Sequence, residues 1–307
     1  MTQTPISFVS PAKVNLFLAV TGRRSDGYHQ LVTLMCPLTL ADTITIRLTR
    51  QNITVTCTDP DVPEDETNLV CRAARLFLTR RVRDKKKRPF GVHMEITKRI
   101  PVAAGLGGGS SNAAAVLMAL NRMENTPFSR DALMAMAVKL GADVPFFIFG
   151  RPAIATGIGE ILKPAAGLPS LPVILIRPPI RISTALVYQN LKLRLTKCQQ
   201  RLKNTNLYSK MEWEHFRSDR ITTCLCNDLE SVTAVKYPMI ETIKQALLAQ
   251  GATGALMSGS GPTVFGLFND EARARDAFMD LSRHQGWQVL KTRLVAGASS
   301  SGKDTGF

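Results

Sequence analysis

The chain has 307 residues, 45% of them hydrophobic, with 39 Lys and Arg against 24 Asp and Glu and a formal net charge of +15. That length holds one large or two ordinary domains with real cores, and the composition suits a soluble globular protein. No apolar run reaches membrane-span length, and Met1-Thr-Gln-Thr-Pro-Ile-Ser7 lacks the basic and apolar parts of a secretion signal; the expectation is a cytoplasmic protein with no membrane partner.

In chain order, residues 6–20 read as a strand interrupted by Pro11-Ala-Lys13-Val-Asn15, and alternating residues predict half-buried strands at 43–49 and 52–58. Thr67 to Thr79 reads as a helix with Leu69, Val70, Ala73, Ala74 and Phe77 on one face. Gly91 to Thr97 reads as a strand. An alanine-rich run, Ala113 to Leu120, predicts a helix that Ser110, Ser111 or Asn112 could cap. Ser129 opens another helix, with Asp131 in its first turn and Gly141 as a C′ glycine stop. Residues 157–172, rich in Gly and Pro, read as a crossing region, and Val173 to Arg177 as a buried strand. A helix from Tyr237 stops at Gly251. A glycine-rich segment up to Gly261, a strand at 263–268, a helix at 271–285 and a strand at 288–294 follow.

The expected fold class is α+β. The last half runs strand-helix-strand-strand-helix-strand, which predicts a ferredoxin-like second domain. The expected domains are residues 1–162 and 163–296, with a disordered tail at 297–307.

Between the strand at 91–97 and the alanine-rich helix stands Pro101-Val-Ala-Ala-Gly105-Leu106-Gly107-Gly108-Gly109-Ser110-Ser111-Asn112. Glycines feeding a helix N-terminus present unpaired N–H groups and a positive dipole end, an anion site suited to phosphate. No lysine follows Gly109, so this is not the loop of the strand-loop-helix NTPases. The third glycine of a dinucleotide fingerprint is absent at Ser110, and the His-Arg-Asp and Asp-Phe-Gly motifs of protein kinases are absent too.

Three polar islands lie in apolar sequence: Lys13 and Asn15 in Pro11-Ala-Lys-Val-Asn-Leu; Asp26-Gly-Tyr28-His29; and Gly141-Ala-Asp143-Val-Pro-Phe-Phe. A lysine inside a strand needs a partner unless it snorkels from an edge. An aspartate before so apolar a stretch must be paired, capping or catalytic.

Together these islands resemble the GHMP kinase superfamily. Pro11 to Leu16 matches its N-terminal motif, Pro101 to Asn112 its phosphate motif, and Ser258-Gly259-Ser-Gly261-Pro-Thr-Val-Phe-Gly its C-terminal glycine motif. The Tyr-His and Gly-Ala-Asp-Val-Pro blocks narrow the likeness to the branch whose acceptor is a cytidine-diphosphate alcohol, phosphorylated on the 2-hydroxyl of its methylerythritol unit in non-mevalonate isoprenoid synthesis. The resemblance implies a ribosomal-S5-like N-terminal domain that holds ATP, a second domain that helps to close over the substrate, and γ-phosphoryl transfer with Mg²⁺. It implies Asp143 as general base and Lys13 as its cationic neighbour, with phosphates cradled by Gly105, Leu106, Gly107, Gly108, Gly109, Ser110 and Ser111. It implies a substrate site of Asn15, Tyr28, His29, Tyr188, Gly259 and Gly261, with cytosine stacked between Tyr28 and Tyr188. It assigns no metal ligand. Mevalonate, homoserine or a sugar carries no base to stack, so the Tyr-His block disfavours those acceptors.

The excess charge concentrates in 80–88 and 192–220, which read as solvated loops that favour anionic partners. An RNA-binding role leaves Lys13 and Asp143 without work, and aromatics are only 6% of the chain. The partners expected are ATP and the cytidine-diphosphate alcohol, without nucleic acid, for a monomer or weak dimer. Cysteines at 36, 57, 71, 198, 224 and 226 read as reduced thiols, and Cys198, His215, Cys224 and Cys226 match no standard zinc spacing.

Overall fold

The computed structural model describes residues 4–81, 90–191, 198, 200 and 218–296. Its spine is an antiparallel pair, β1 (Ile6–Arg23) and β2 (His29–Thr49), joined by the Asp26-Gly27 turn. β4 (Gly91–Thr97) pairs with the far half of β2, and β3 (Ile53–Cys57) lies parallel beyond it. The expected interruption at Pro11–Asn15 is a pair of register shifts inside a continuous β1, at Pro11/Lys13 and Asn15/Phe17. Such bulges re-aim side chains without ending a strand. The early half of β2 escapes sequence reading because residues 31–38 are buried throughout and show no alternation.

Helices α1 (Leu69–Arg81), α2 (Gly108–Met123), α3 (Arg130–Leu140) and α4 (Val144–Phe149) pack on this sheet. Their shared core includes Phe77, Leu117, Met136 and Phe146 against Ile44, Ile46 and Met94. Ser129 caps α3 as expected, accepting from the Ala132 N–H at 3.3 Å. Gly141 does not end it in left-handed conformation; its φ of 170° is extended backbone. Nor do Ser110, Ser111 or Asn112 cap α2. The helix begins earlier, at Gly108, with Gly107 at the N-cap and no side-chain cap bond. The 157–172 region is no plain crossing: β5 (Ala153–Thr156) and β6 (Ile161–Pro164) form a hairpin on the β2 edge. The chain thus stays with the first sheet to Pro164.

The second sheet is antiparallel, in the order β11-β7-β10-β9, built from β7 (Pro172–Arg177), β9 (Gly254–Met257), β10 (Val264–Leu267) and β11 (Gln288–Arg293). With α8 (Met239–Ala249) and α9 (Glu271–Leu281) it makes the expected ferredoxin-like unit. Between β7 and α8 the chain adds α5 (Thr184–Asn190), α6 (Ser218–Cys224), β8 (Cys226–Asn227) and α7 (Asp228–Lys236). β8 pairs in parallel with Phe17 and Leu18 of β1. The second lobe therefore contributes a strand to the first sheet. A buried cluster with Val14, Leu16 and Leu34 on one side and Leu175, Leu256 and Phe265 on the other joins the lobes.

The cysteine expectation is corrected at one pair: Cys198 and Cys226 form a disulfide across 28 residues. Folding brings their Cα atoms to 5.7 Å, within bridging range, a proximity that sequence spacing hides. Cys36, Cys57 and Cys71 are free thiols. Residues 82–88 of the first basic stretch and 192–197, 199 and 201–217 of the second, His215 among them, lie outside the described residues, as does the tail from 297.

The approach to the glycine loop is fixed by a buried ion pair. Asp42, fully buried, bonds Lys98 Nζ at 2.5 Å and accepts the N–H groups of Arg99 and Ile100 at 2.8 and 2.9 Å. Removing one member of such a pair strands the other's charge. Asp42→Ala is expected to lower the unfolding free energy by about 3–5 kcal/mol, measured by urea denaturation.

Candidate active site

The β1 bulges bring Lys13 to the seam between the lobes, where it is only 4% exposed. It does not snorkel. Its Nζ donates to Asn15 Oδ1 at 2.5 Å and stands 3.5 Å from Asp143 Oδ2. Asn15 is fixed in turn by its amide, which donates to Thr33 Oγ1 at 2.8 Å, while that hydroxyl donates to the Phe17 carbonyl at 2.6 Å. Asp143 occupies the N-cap position of α4, but its side chain makes no cap bond. Of the roles left open for it, capping falls away and pairing with Lys13 stands. Its side chain is 38% exposed, so it faces both the buried ammonium and the cleft.

Two glycine loops close on Lys13, one from each lobe. Gly107 takes φ +71°, and a Cβ there would stand 2.8 Å from Phe147 Cζ and 3.1 Å from Lys13 Cγ. Gly259 takes φ +58°, with its Cβ position 3.6 Å from Lys13 Nζ. Only glycine combines this backbone with so close an approach. The loops are tied together by Ser258, fully buried. Its hydroxyl donates to the Gly105 carbonyl at 3.1 Å and accepts the Asn15 N–H at 3.4 Å.

A cavity of about 640 Å³ opens beside these groups. Lys13, Asn15 and Asp143 line it with Tyr28, His29, Tyr188 and Gly259. A smaller one, about 380 Å³, lies across the glycine loop and is lined by Leu106, Gly108 and Gly109 with Asn68 and Lys98. Gly105, Gly107 and Ser110 border both cavities, so the loop is the wall between them. Two expected residues are not brought to either. The Ser111 N–H donates to the Gly107 carbonyl at 2.9 Å, and its buried hydroxyl accepts from Ser10 at 2.8 Å. Gly261 is a turn glycine at φ +83°, its Cβ position blocked by Met257 Sδ.

The aromatic end is a pair across the lobes. The His29 and Tyr188 rings stack at 5.1 Å and 30°. Tyr28 stands at the rim, 59% exposed. Burial, reinforced by Arg23, holds the His29 imidazole below its ordinary pKa, which favours the neutral ring. Burial first and the Asp143 charge second push the Tyr188 hydroxyl far up. Among the described residues, no three His, Cys, Asp or Glu gather as a metal site.

Sequence reading missed Thr33, Ser258 as a staple, and the hydroxyl pair Thr184–Ser260, 2.7 Å apart on the cleft wall. It also missed Asn227, whose Asn-Asp-Leu-Glu run carries the spacing of a helix start with Glu at N3.

Known proteins match this arrangement. The model of the GHMP kinases N terminal domain matches residues 68–151, and that of the GHMP kinases C terminal domain matches 216–284. The chain is a GHMP kinase. It is 44% identical over 291 residues to the 4-diphosphocytidyl-2-C-methyl-D-erythritol kinase of Geobacter sp. (strain M21), covering 94% of this chain and 99% of that one. The same-named enzyme of Syntrophotalea carbinolica is 46% identical over 290 residues, with the same shares covered. A crystal structure of 4-(cytidine 5'-diphospho)-2C-methyl-D-erythritol kinase superposes with TM-score 0.76 at 35% identity, covering 95% of this chain and all of that one. Homoserine kinase from Cytophaga hutchinsonii superposes at 0.70 with 20% identity over 95% of this chain and 96% of that one, a likeness of fold alone. The chain belongs to the 4-diphosphocytidyl-2-C-methyl-D-erythritol kinase family.

The lowered His29 pKa carries a sign. Below the unfolded value, the unfolded chain binds a proton that the folded site resists, so stability falls as pH falls through about 6.5. His29→Gln removes that loss. Its melting temperature relative to wild type is expected to rise between pH 7.5 and pH 5.5, as followed by circular dichroism.

Proposed function

We propose that the protein transfers the γ-phosphoryl group of ATP to the 2-hydroxyl of 4-diphosphocytidyl-2-C-methyl-D-erythritol, in non-mevalonate synthesis of isoprenoid precursors. The observation that carries this reading is the Lys13–Asp143 pair, 3.5 Å apart, in a cleft with a phosphate loop on one wall and an aromatic pair on another.

ATP takes the smaller cavity, its phosphates against the free N–H groups at the start of α2. The acceptor takes the larger one. Asp143, half open to that cleft, removes the proton of the tertiary hydroxyl as it attacks phosphorus. Lys13 steadies the developing charge from a site that solvent cannot screen. Phosphoryl transfer needs position and charge neutralisation more than covalent help from the protein, and a rigid seam supplies both. The loop offers Mg²⁺ no cluster of carboxylates among the described residues, which suits an ion that would be held mainly by waters and substrate phosphates. When bound with the nucleotide, it supplies further neutralisation of phosphate charge.

The cytosine ring is read at the Tyr28, His29 and Tyr188 end. His29 covers one face of Tyr188, Tyr28 stands 59% exposed at the rim, and both tyrosines line the cavity that takes the base.

Two measurements test the assignment. Asp143→Asn keeps size and hydrogen bonding but cannot take a proton. It is expected to lower kcat by at least ~10²-fold with ATP binding nearly intact. Activity within a few-fold of wild type would exclude Asp143 as the base. Tyr28→Ala is expected to weaken acceptor binding by roughly 1–3 kcal/mol while the ATP KM barely moves. A raised ATP KM with unchanged acceptor affinity would place Tyr28 at the nucleotide instead.

A further inference from the structure

The turn that faces Lys13 from the second lobe is held from behind by groups outside the cleft. Asn227, buried in β8, donates its amide to two carbonyls of that turn, Met257 at 2.8 Å and Gly259 at 2.7 Å. Its Oδ1 accepts the Leu229 N–H at 3.0 Å and caps α7. The next polar residues grip other elements. Asp228 accepts the Val20 N–H of β1 at 2.8 Å. Glu230 accepts the Met257 N–H at 2.8 Å and pairs with Lys244 of α8 at 2.5 Å. One helix start thus joins the strand that carries Lys13 to the turn that carries Gly259.

We propose that Asn227 is a positioning residue for phosphoryl transfer, holding the Gly259–Ser260 turn against Lys13 and Asn15 without touching either substrate. Asn227 does not line the cleft that holds Lys13 and Asp143, whereas Gly259 and Ser260 do. A left-handed glycine has broad conformational freedom, so its observed φ of +58° must be imposed by its neighbours. The two amide bonds hold it, together with the turn's own backbone bonds, Ser258 N–H to the Thr263 carbonyl and Gly261 N–H to the Ser258 carbonyl. They fix the two carbonyls that bracket Ser258, whose hydroxyl is the staple to Gly105. A displacement of about 1 Å at such a turn costs on the order of 10²-fold in rate.

The inference rests on the kinase reading, and its test separates the two. Water competes with the acceptor for the phosphoryl group and already reaches Asp143, which is 38% exposed, so a turn that no longer holds Lys13 and Asn15 in register with the acceptor shifts transfer toward water. The readout is therefore the ratio of ADP formed to alcohol phosphorylated. Loss of folded protein lowers both equally and leaves the ratio unchanged.

Asn227→Asp keeps the oxygen that caps α7 and removes the amide that holds the two carbonyls. It is expected to lower kcat by about 10²-fold and to raise the ratio several-fold above the wild-type value, with the ATP KM within about twofold. Asn227→Ser, which keeps a helix cap without placing a carboxylate against the carbonyls, is expected to move the ratio the same way. It serves where the aspartate variant does not fold. A wild-type ratio in the folded variant, with activity reduced only in proportion to folded protein, overturns the positioning role. Failure of the wild-type protein to phosphorylate the cytidylylated alcohol overturns the kinase reading instead.

Discussion

An ammonium group sits almost without solvent at the junction of two lobes, and the surrounding architecture answers the cost of keeping it there. Lys13 is 4% exposed on a strand whose neighbours are apolar. A charge taken out of water costs several kcal/mol unless it is paired and hydrogen-bonded. Asn15 supplies the bond, and Asp143 supplies the countercharge from α4, more than a hundred residues further along the chain. The pairing is uneven by design of the site: the cation is sealed while the carboxylate keeps an open side. A sealed pair has no route to substrate, and an exposed pair is screened to little effect. The geometry here leaves the carboxylate usable and the lysine strong.

Sealing Lys13 restricts what can lie next to it. A side chain at 107 meets Phe147 and the lysine stem, and one at 259 presses on Asn15 Oδ1 from a left-handed backbone. Gly107 is therefore a steric requirement, and Gly259 is required by a left-handed backbone that side chains rarely adopt. The seam then needs rigid backing, because loops of glycine do not hold themselves. Ser258 ties one loop to the other, Asn227 holds the second from behind, and Asp42 with Lys98 fixes the approach to the first. These are buried polar networks with their members satisfied, the kind that specifies one arrangement over its neighbours.

This explains which features were legible in the sequence. Lys13, Asp143 and the glycine loop stood out because each breaks a local rule: charge within apolar runs, and glycine massed at a helix start. The β4 strand and the ferredoxin-like order were legible from alternation and from turn residues. The early half of β2 was not, because a strand buried on both faces has no alternation to read. Ser111 suits a phosphate loop by type, while helical geometry turns its N–H to the Gly107 carbonyl and its hydroxyl to Ser10, which no local pattern reveals. Thr33, Ser258 and Asn227 are ordinary polar residues in sequence. Their importance comes from partners 16, 153 and 32 residues away, at Phe17, Gly105 and Gly259. The Cys198–Cys226 bridge is invisible for the same reason.

The aromatic end shows how one cavity can serve both selection and chemistry. His29 belongs to β2 in the first lobe, Tyr188 to α5 in the second, and their stacking closes the cleft across the seam. Burial first and the Asp143 charge second raise the Tyr188 hydroxyl, and both side chains line one cavity. On the proposed reading, the acceptor places an aromatic base and a reactive hydroxyl within this single cavity of about 640 Å³. On that reading, a bare polyol leaves the aromatic end unfilled and forfeits the binding energy that would hold its hydroxyl at Asp143. Remote binding energy of this kind is what positions a reacting group. The neutral imidazole suits this role as well, since it presents one donor and one acceptor to a base edge where a charged ring presents only donors.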